Sequence, residues 1–263
     1  MRADKFFADR FGSRTKAAEA IEKGLVLVNG QSIKPKSEIK ETDEVSFLQA
    51  ESSFVSNGGY KLERAINTFH LVCQDKIFAD LGASTGGFCD CLLQKGAKRV
   101  YAVDVGESLL HESLQTDMRI IKMDNTNARY LQKSDFADRL DGVVTDVSFI
   151  SLRLILPVIS ALIDENGWAV ALIKPQFECE NKHIGKSGIV HPSAHAEIVK
   201  KVLGYALESG LYARSVVNAP VRKGKNIEYA VWLTKEKQGA LSLNAAAEVI
   251  KNLVKSNSLG ELK

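Results

Sequence analysis

The sequence predicts an α/β fold: a doubly wound, mostly parallel sheet closed by an antiparallel strand, and preceded by a small α+β domain. Two observations carry this prediction. Beyond residue 60, short apolar runs alternate with helical patterns, which is typical of parallel strands joined by helices. Before residue 49, helical patterns are followed by a hairpin signal. We therefore expect domains at 1–48 and 61–240, a polar linker at 49–60, and a C-terminal helix and tail at 241–263.

The small domain is predicted to contain two helices followed by two strands. In chain order these elements are 2–10, 15–23, 25–28 and 44–48. Ser13 is a candidate N-cap for the second helix, and Gly24 ends that helix. Asn29 and Gly30 form the commonest hairpin dipeptide directly after the first strand. A unit of this size buries little apolar surface by itself.

Seven apolar runs of the large domain are predicted to be strands. In chain order they are 77–81, 99–103, 119–122, 142–145, 168–173, 212–218 and 227–234. The last two runs are interpreted as the antiparallel pair that closes the sheet. After the fifth run, Ile198, Val199 and Val202 begin an apolar face with helical spacing. A further apolar helix face at 241–255 lies past the last strand, and the sequence leaves its role open.

Composition excludes several classes of protein. Of the 263 residues, 45% are hydrophobic and 25% are charged, which excludes collagen and a disordered chain. The four cysteines form no C-x-x-C pair, so neither a zinc ribbon nor a disulfide scaffold is indicated. His191 and His195 have no third ligand nearby in sequence, so we predict no metal site and interpret them as a solvated helix start. With no signal sequence and no spanning apolar run, we expect a cytoplasmic protein without a membrane partner.

The net charge of +3 is concentrated near the N-terminus. Residues 1–36 carry eight basic and four acidic side chains, an excess of four (8 − 4) that covers the whole surplus. Basic side chains grouped on one surface attract phosphates. The candidate nucleic-acid contacts are Arg2, Lys5, Arg10, Arg14, Lys16 and Lys23.

A glycine-rich loop follows the first strand of the large domain. Residues 80–88 read Asp-Leu-Gly-Ala-Ser-Thr-Gly-Gly-Phe and open a helix. Asp104 ends the next strand, 22 residues after Gly82 (104 − 82), and a carboxylate at that separation can accept both hydrogen bonds of a ribose diol. The glycine spacing matches neither the dinucleotide fingerprint nor the P-loop, which disfavours NAD and ATP. Asp124, at the end of a third strand, strengthens the prediction of a ribose-containing cofactor.

Four charged residues form a candidate catalytic set. In sequence order they are Lys61, Asp146, Lys174 and Glu228. Asp146 and Lys174 end two strands, and the carboxyl ends of parallel strands face one crevice, so we expect both beside the cofactor. A lysine whose pKa is lowered by a neighbouring lysine can accept a hydroxyl proton or stabilise the developing alkoxide.

These motifs carry a family resemblance. The glycine loop resembles motif I of S-adenosylmethionine-dependent methyltransferases, which have a Rossmann-like fold, and the order Lys-Asp-Lys-Glu resembles the FtsJ/RrmJ-like ribose 2′-O-methyltransferases. Residues 13–17 and 24–30 resemble the S4 RNA-binding module. Six further segments resemble the TlyA family, at 56–62, 103–106, 126–129, 146–152, 174–178 and 226–229. Over residues 1–235 the chain is similar to the TlyA family.

The resemblance implies an activity, a cofactor and a partner. It implies S-adenosyl-L-methionine-dependent 2′-O-methylation of cytidine in 16S or 23S ribosomal RNA or in both, with ribosomal RNA or ribosomal subunits as partners. The implied cofactor-binding residues are Asp80, Gly82, Ala83, Ser84, Thr85, Gly86, Gly87, Phe88, Asp104, Val105, Asp124, Asn125 and Asp146. Lys174 is implied to be the base-like lysine and Asp146 its orienting partner. The spacing of the four charged residues does not show which of them acts as the general base.

Two other functions are compatible with parts of the sequence. An RNA-binding ribosome-assembly factor without catalysis would need the S4 module alone, and the complete Lys-Asp-Lys-Glu set argues against it. A membrane-active protein is suggested by the older family name haemolysin A, and the missing signal and spanning run argue against that. S4 modules also precede pseudouridine synthases, which the glycine loop disfavours. The sequence leaves the oligomeric state and the target nucleotide open.

Overall fold

Two units, Met1–Ser53 and Phe54–Lys263, make up the chain in the computed structural model. The structure describes residues 1–22, 24–40, 42–47, 54–185, 187–220 and 224–260, with side chains of the last helix described to residue 256. Most of the linker predicted at 49–60 lies outside these ranges or inside a helix. That helix begins at Asn57, and Gly59 in its first turn packs directly on Phe54: a Cβ on Gly59 would lie 2.2 Å from Phe54 Cγ. The glycines of this segment therefore serve close packing, and the linker prediction extends too far.

The first unit contains two short helices and a three-stranded antiparallel sheet. Its elements are α1 (Ala3–Phe6), α2 (Arg14–Glu22), β1 (Val26–Val28), β2 (Gln31–Ser32) and β3 (Val45–Phe47). Asn29 and Gly30 both have positive φ, 50° and 74°, so the predicted hairpin turn is confirmed. Its second strand is the short β2, whereas β3 pairs with the other edge of β1.

The helices of this unit differ slightly from their predicted bounds. The helix predicted at 2–10 spans only Ala3–Phe6, and turns follow it up to Gly12, which has φ 76°. The N-cap prediction is confirmed, because the amide of Lys16 donates to Ser13 Oγ over 3.2 Å. Ala3, Phe7, Ala17, Ile21, Val26, Val28 and Ile39 form the buried core of the unit.

The second unit is built on a seven-stranded sheet of order β6-β5-β4-β7-β8-β10-β9. Its strands are β4 (Ile77–Leu81), β5 (Arg99–Val103), β6 (Ile120–Met123), β7 (Gly142–Thr145), β8 (Trp168–Ile173), β9 (Tyr212–Asn218) and β10 (Tyr229–Thr234). The five strands from β4 to β8 pair in parallel, and β10 is antiparallel to both β8 and β9. The predicted sheet is therefore confirmed. Its strand order reverses between β4 and β7, where open α/β sheets bind their ligands.

Helices cover both faces of this sheet. They are α3 (Asn57–Phe69), α4 (Gly87–Gln94), α5 (Glu112–Gln115), α6 (Leu156–Leu162), α7 (Pro175–Glu178), α8 (His195–Glu208) and α9 (Leu243–Gly260). One buried cluster contains residues of α3 and α4, and another contains residues of α6, α8 and α9. In α9, Ala246 and Ile250 are both 0% exposed, so the C-terminal helix belongs to the core of the sheet domain. None of the helices in the described ranges is both long and apolar enough to cross a bilayer.

His195 is a buried residue of α8, so its interpretation as part of a solvated helix start is wrong. It is 2% exposed, and its ring contacts the Tyr229 hydroxyl at 2.8 Å and the Val190 carbonyl at 3.3 Å. Burial lowers the pKa of His195, which favours a neutral ring with one donor and one acceptor nitrogen. His191 is exposed. Among the described residues, no group of three His, Cys, Asp or Glu side chains is placed to hold a metal ion.

Candidate active site and cofactor groove

The glycine loop between β4 and α4 has a backbone path that requires its glycines. Gly82 and Gly86 have φ of 85° and 87°, a region that favours glycine. A Cβ on Gly86 would lie 2.4 Å from Leu114 Cδ1, and a Cβ on Gly87 would lie 2.2 Å from Ser56 Oγ. The loop is therefore held in one conformation by the elements packed behind it.

Asp104, at the end of β5, is hydrogen-bonded to this loop. Its Oδ2 accepts from the Ser84 amide at 2.8 Å, and its Oδ1 accepts from the Gly106 amide at 2.9 Å. A carboxylate has further lone pairs, so these two bonds orient Asp104 while leaving it able to accept from a ligand. Val105 beside it is 68% exposed and supplies an apolar surface.

A groove of about 840 Å³ runs past the ends of β4, β5 and β7. Of the predicted cofactor residues, those that line it are Gly82, Ser84, Asp104, Val105 and Asp146. A neighbouring cavity of about 270 Å³ shares Gly82, Ser84 and Asp146 with the groove and contains Lys61 and Lys174. The predicted residues that line this smaller cavity include Ala83, Thr85, Gly87 and Phe88. The two cavities bring the glycine loop and the lysines to one place.

Four predicted cofactor residues do not line either of these two cavities. They are Asp80, Gly86, Asp124 and Asn125. Asp124 Oδ2 accepts from the Ser108 amide at 3.2 Å, and the Asn125 amide donates to the Gly106 carbonyl at 3.1 Å. These two residues therefore brace the loop that follows Asp104.

The lining also contains residues that were not predicted as cofactor contacts. They are Thr126, Asn127, Ala128, Arg129, Val147, Ser148, Phe149, Ile150, Ser151, Leu154 and Ile155, together with Val103. Most of them lie in two segments that begin shortly after β6 and β7. Their position after strand ends at the reversal point of the sheet was the signal that could have identified them.

The side chains that line the groove indicate which kind of ligand it can bind. Asp104 offers hydrogen-bond acceptors for a ribose diol, and Val105 and Leu154 offer apolar contacts for a flat base. Among the described residues that line the groove, Arg129 is the single cation, so no cluster of positive charge is present for a pyrophosphate. The groove fits a nucleoside that carries no phosphates.

Asp80 is a fully buried carboxyl group under the glycine loop. Its Oδ2 accepts from the Cys89 thiol at 3.1 Å, and its Oδ1 has no hydrogen-bond partner among the described residues. Burial raises the pKa of Asp80 to about 7, although the hydrogen bond from Cys89 opposes the shift. The carboxyl group of Asp80 therefore titrates near neutral pH.

This pKa predicts a pH-dependent stability. The folded pKa of Asp80 lies above the ordinary value of 3.8, so the folded state holds a proton that the unfolded state has lost between about pH 4 and pH 7. The free energy of unfolding therefore falls as pH rises through that window, by a few kcal/mol from this group. Asp80→Asn should be more stable than the parent at pH 8 and similar at pH 4, as measured by urea unfolding. A pH-independent difference between the two proteins would contradict this prediction.

The four charged residues form one ion-paired cluster. Lys174 Nζ lies 2.6 Å from Asp146 Oδ1, and Lys61 Nζ lies 3.4 Å from Asp146 Oδ2 and 2.7 Å from Glu228 Oε2. Lys174 also donates to Ser148 Oγ at 2.7 Å and to the Asp146 carbonyl at 3.1 Å. The structure thus brings together all four residues that the sequence singled out. Asp146 lies between the two lysines.

The two lysines differ in their surroundings. The Lys61 ammonium is disfavoured by burial, but the carboxylates of Asp146 and Glu228 outweigh that cost and raise the pKa of Lys61. Lys61 therefore differs from the expectation of a lysine with a lowered pKa, and it acts as a fixed positive charge. The Lys174 side chain is 8% exposed and has one carboxylate partner, Asp146.

An aromatic pair, with Phe149 exposed and Phe177 partly buried, lies beside this cluster. Phe149 is 90% exposed with φ 63°, a conformation that is uncommon for a bulky residue. Its ring centroid lies 5.0 Å from that of Phe177, and Lys174 Nζ lies 5.9 Å from the Phe177 ring. This surface offers stacking for a planar group next to Lys174.

In the first unit, the candidate nucleic-acid contacts differ in their partners. Lys5 and Lys16 are exposed, and Arg10 lies over the Phe47 ring at 3.8 Å. Arg2 and Arg14 both form ion pairs with Asp4. Lys23 lies outside the described residues.

Comparison with known proteins assigns both units. The profile of the FtsJ-like methyltransferases matches residues 54–235, and that of the S4 domain matches residues 1–45. A Bacillus subtilis (strain 168) protein provisionally named rRNA methyltransferase YqxC is 41% identical, covering 84% of this chain and 80% of its own. The 16S/23S rRNA (cytidine-2'-O)-methyltransferase TlyA of Mycobacterium tuberculosis is 36% identical over 90% of each chain. A solved structure from Streptococcus thermophilus, provisionally named a hemolysin, is 36% identical with a TM-score of 0.75 and covers 100% of this chain and 98% of its own.

Proposed function

This chain belongs to the FtsJ-like methyltransferase family and, within it, to the group that contains TlyA, and we propose on that basis that it methylates the ribose 2′-hydroxyl of cytidine in ribosomal RNA. The methyl donor is S-adenosylmethionine, which supplies an electrophilic methyl group. The groove suits this donor, since it offers Asp104 to a ribose diol and lacks a cluster of cations for phosphates. The glycine loop lines the groove at Gly82 and Ser84, so its backbone can closely approach the part of S-adenosylmethionine outside the ribose.

The observation that carries this proposal is the ion-paired cluster at the junction of the two cavities. A ribose hydroxyl has a pKa far above neutral, so its proton must be removed or its developing charge stabilised as the new O–C bond forms. Lys174 is the group that we assign to this task, and its position 2.6 Å from Asp146 and 2.7 Å from Ser148 orients its ammonium head. Lys61 balances the charge of Asp146 from the other side and is itself ion-paired with Glu228.

We assign RNA capture to both units. In the first unit, the exposed side chains of Lys5 and Lys16 attract the phosphates of RNA. In the second unit, the Phe149–Phe177 pair offers a stacking surface for a nucleobase near Lys174. Reaching the groove requires the target nucleotide to leave its stack. We propose ribosomal subunits as the substrates, because the name of the M. tuberculosis relative TlyA specifies 16S and 23S ribosomal RNA.

Methyl mapping tests this function. Purified protein with tritiated S-adenosylmethionine should label 16S or 23S RNA of subunits from a strain lacking the gene, on a cytidine ribose. Subunits from the parent strain are the matched control and should take up little label, because their site is already methylated. Label on a base, or no label despite cofactor binding in calorimetry, would contradict the proposal. The second outcome would instead support an RNA-binding factor without catalysis.

A further inference from the structure

The first unit contains a buried carboxylate between two of its exposed arginines. Asp4 lies in α1 with its side chain 7% exposed, while the side chains of Arg2 and Arg14 are 45% and 56% exposed. An acidic residue between two arginines reduces the positive charge that attracts RNA. Its position therefore calls for a different role.

The contacts of Asp4 fix both arginines at one point. Arg2 binds it through two nitrogens, Nε to Oδ1 at 3.2 Å and Nη2 to Oδ2 at 2.8 Å. Arg14 Nε binds the same Oδ2 oxygen at 3.0 Å. Because nitrogens of both arginines share one oxygen, the two guanidinium groups must lie next to each other.

The backbone holds Asp4 in place independently of the arginines. Its amide donates to the Pro35 carbonyl at 3.0 Å, and the preceding Ala3 amide donates to the Ser37 carbonyl at 2.8 Å. The hydrogen bond from Arg2 lowers the pKa of Asp4, so its carboxylate is charged near neutral pH.

We propose that Asp4 is a positioning residue for RNA binding, which holds Arg2 and Arg14 side by side so that their remaining N–H donors bind the phosphates of RNA. The ion pairs use only part of the donors of each guanidinium. An arginine that is already ordered loses less side-chain entropy when it binds. Two guanidiniums at one carboxylate also avoid the mutual repulsion that would separate them. This inference rests on the proposed RNA substrate.

The test exploits the sign of the charge change. Asp4→Asn raises the net charge by one, so simple electrostatics predicts tighter binding, whereas loss of positioning predicts weaker binding. We expect Asp4→Asn to weaken the affinity for unmethylated ribosomal subunits by about three- to tenfold, in line with losing the order of one or two side chains. The matched control is Asp9→Asn, which makes the same charge change at an exposed residue of this unit and should bind equally or more tightly.

A double-mutant cycle separates positioning from general stability. Arg14→Ala should weaken binding strongly in the parent and much less in the Asp4→Asn background, because Arg14 has already lost its fixed position there. Equal costs in both backgrounds, or unchanged or tighter binding by Asp4→Asn, would overturn the inference. If Asp4→Asn lowers the melting temperature, the cycle still distinguishes positioning from loss of stability, provided that binding is measured below the melting temperature of every variant. If the parent chain itself fails to bind the subunits, the proposed RNA substrate falls, which is a separate and distinguishable result.

Discussion

Lys174→Ala is expected to lower methyl transfer to ribosomal RNA by about 10²- to 10⁴-fold, the range typical of losing a group that handles a proton in the transition state. Lys174 contacts the side chains of Asp146 and Ser148. Asp146 keeps Lys61 as an ion-pair partner at 3.4 Å, so its charge stays compensated. Tritium incorporation at saturating cofactor and RNA measures the effect.

Cofactor binding separates this loss from unfolding. The affinity of Lys174→Ala for S-adenosylmethionine, measured by calorimetry, should stay close to that of the parent, because Asp104 and Val105 line the groove whereas Lys174 lines the neighbouring cavity. Lys98→Ala removes an exposed lysine from the loop before β5 and should leave both properties unchanged. Near-parent turnover by Lys174→Ala would refute the proposed role of Lys174, and the same measurement on Lys61→Ala would then show whether the other lysine performs it.

Asp104→Ala is expected to weaken binding of S-adenosylmethionine by about 10²- to 10⁴-fold, since each charge-assisted hydrogen bond contributes roughly 1.5–3 kcal/mol and a ribose diol can make two. The Ser84 and Gly106 amides also lose their acceptor, which loosens the glycine loop. Calorimetry measures the change in affinity. Methyl transfer should fall at low cofactor concentration and recover in part at high concentration, in contrast to Lys174→Ala.

Two further variants define the role of Asp104. Asp104→Asn keeps one acceptor oxygen and should show an intermediate loss of affinity. Glu107→Ala removes an exposed carboxylate from the same loop and should bind the cofactor as the parent does. If Asp104→Ala bound S-adenosylmethionine with parent affinity and a normal melting temperature, the assignment of Asp104 to the ribose diol would be refuted.

Much of the sheet could be predicted because its strands are short, fully buried runs. Gly142–Thr145 and Trp168–Ile173 have every residue buried, and polar residues flank them, so their bounds match the prediction. Strand β6 is only partly buried, and it begins one residue later than predicted. The linker prediction is wrong at Gly59, which packs against Phe54 within α3, because a sequence pattern does not distinguish flexibility from close packing.

The site was predicted in part for similar reasons. Asp104 and the four residues of the ion-paired cluster lie at strand ends or in recognisable motifs, so they could be identified from their positions in the sequence. Asp124 is assigned to the cofactor by the same logic, and that assignment stays a prediction; in the structure its Oδ2 accepts from the Ser108 amide. Phe149 was not predicted to line the groove, since its exposure depends on a backbone φ of 63° that no periodicity encodes.

The sequence by itself determined the two-domain order, the parallel sheet with its antiparallel closure, and the residue types available for chemistry, because periodicity and turn residues are local properties of the chain. Only the tertiary structure decided which charges meet. Lys61, Asp146 and Glu228 come from distant parts of the chain, and the charges of Asp146 and Glu228 together raise the pKa of Lys61 instead of lowering it. Likewise, the basic N-terminus was evident from composition, but the use of Asp4 to hold Arg2 and Arg14 depends on burial and on one shared oxygen atom. Distances between side chains follow from packing, and packing is a property of the whole fold.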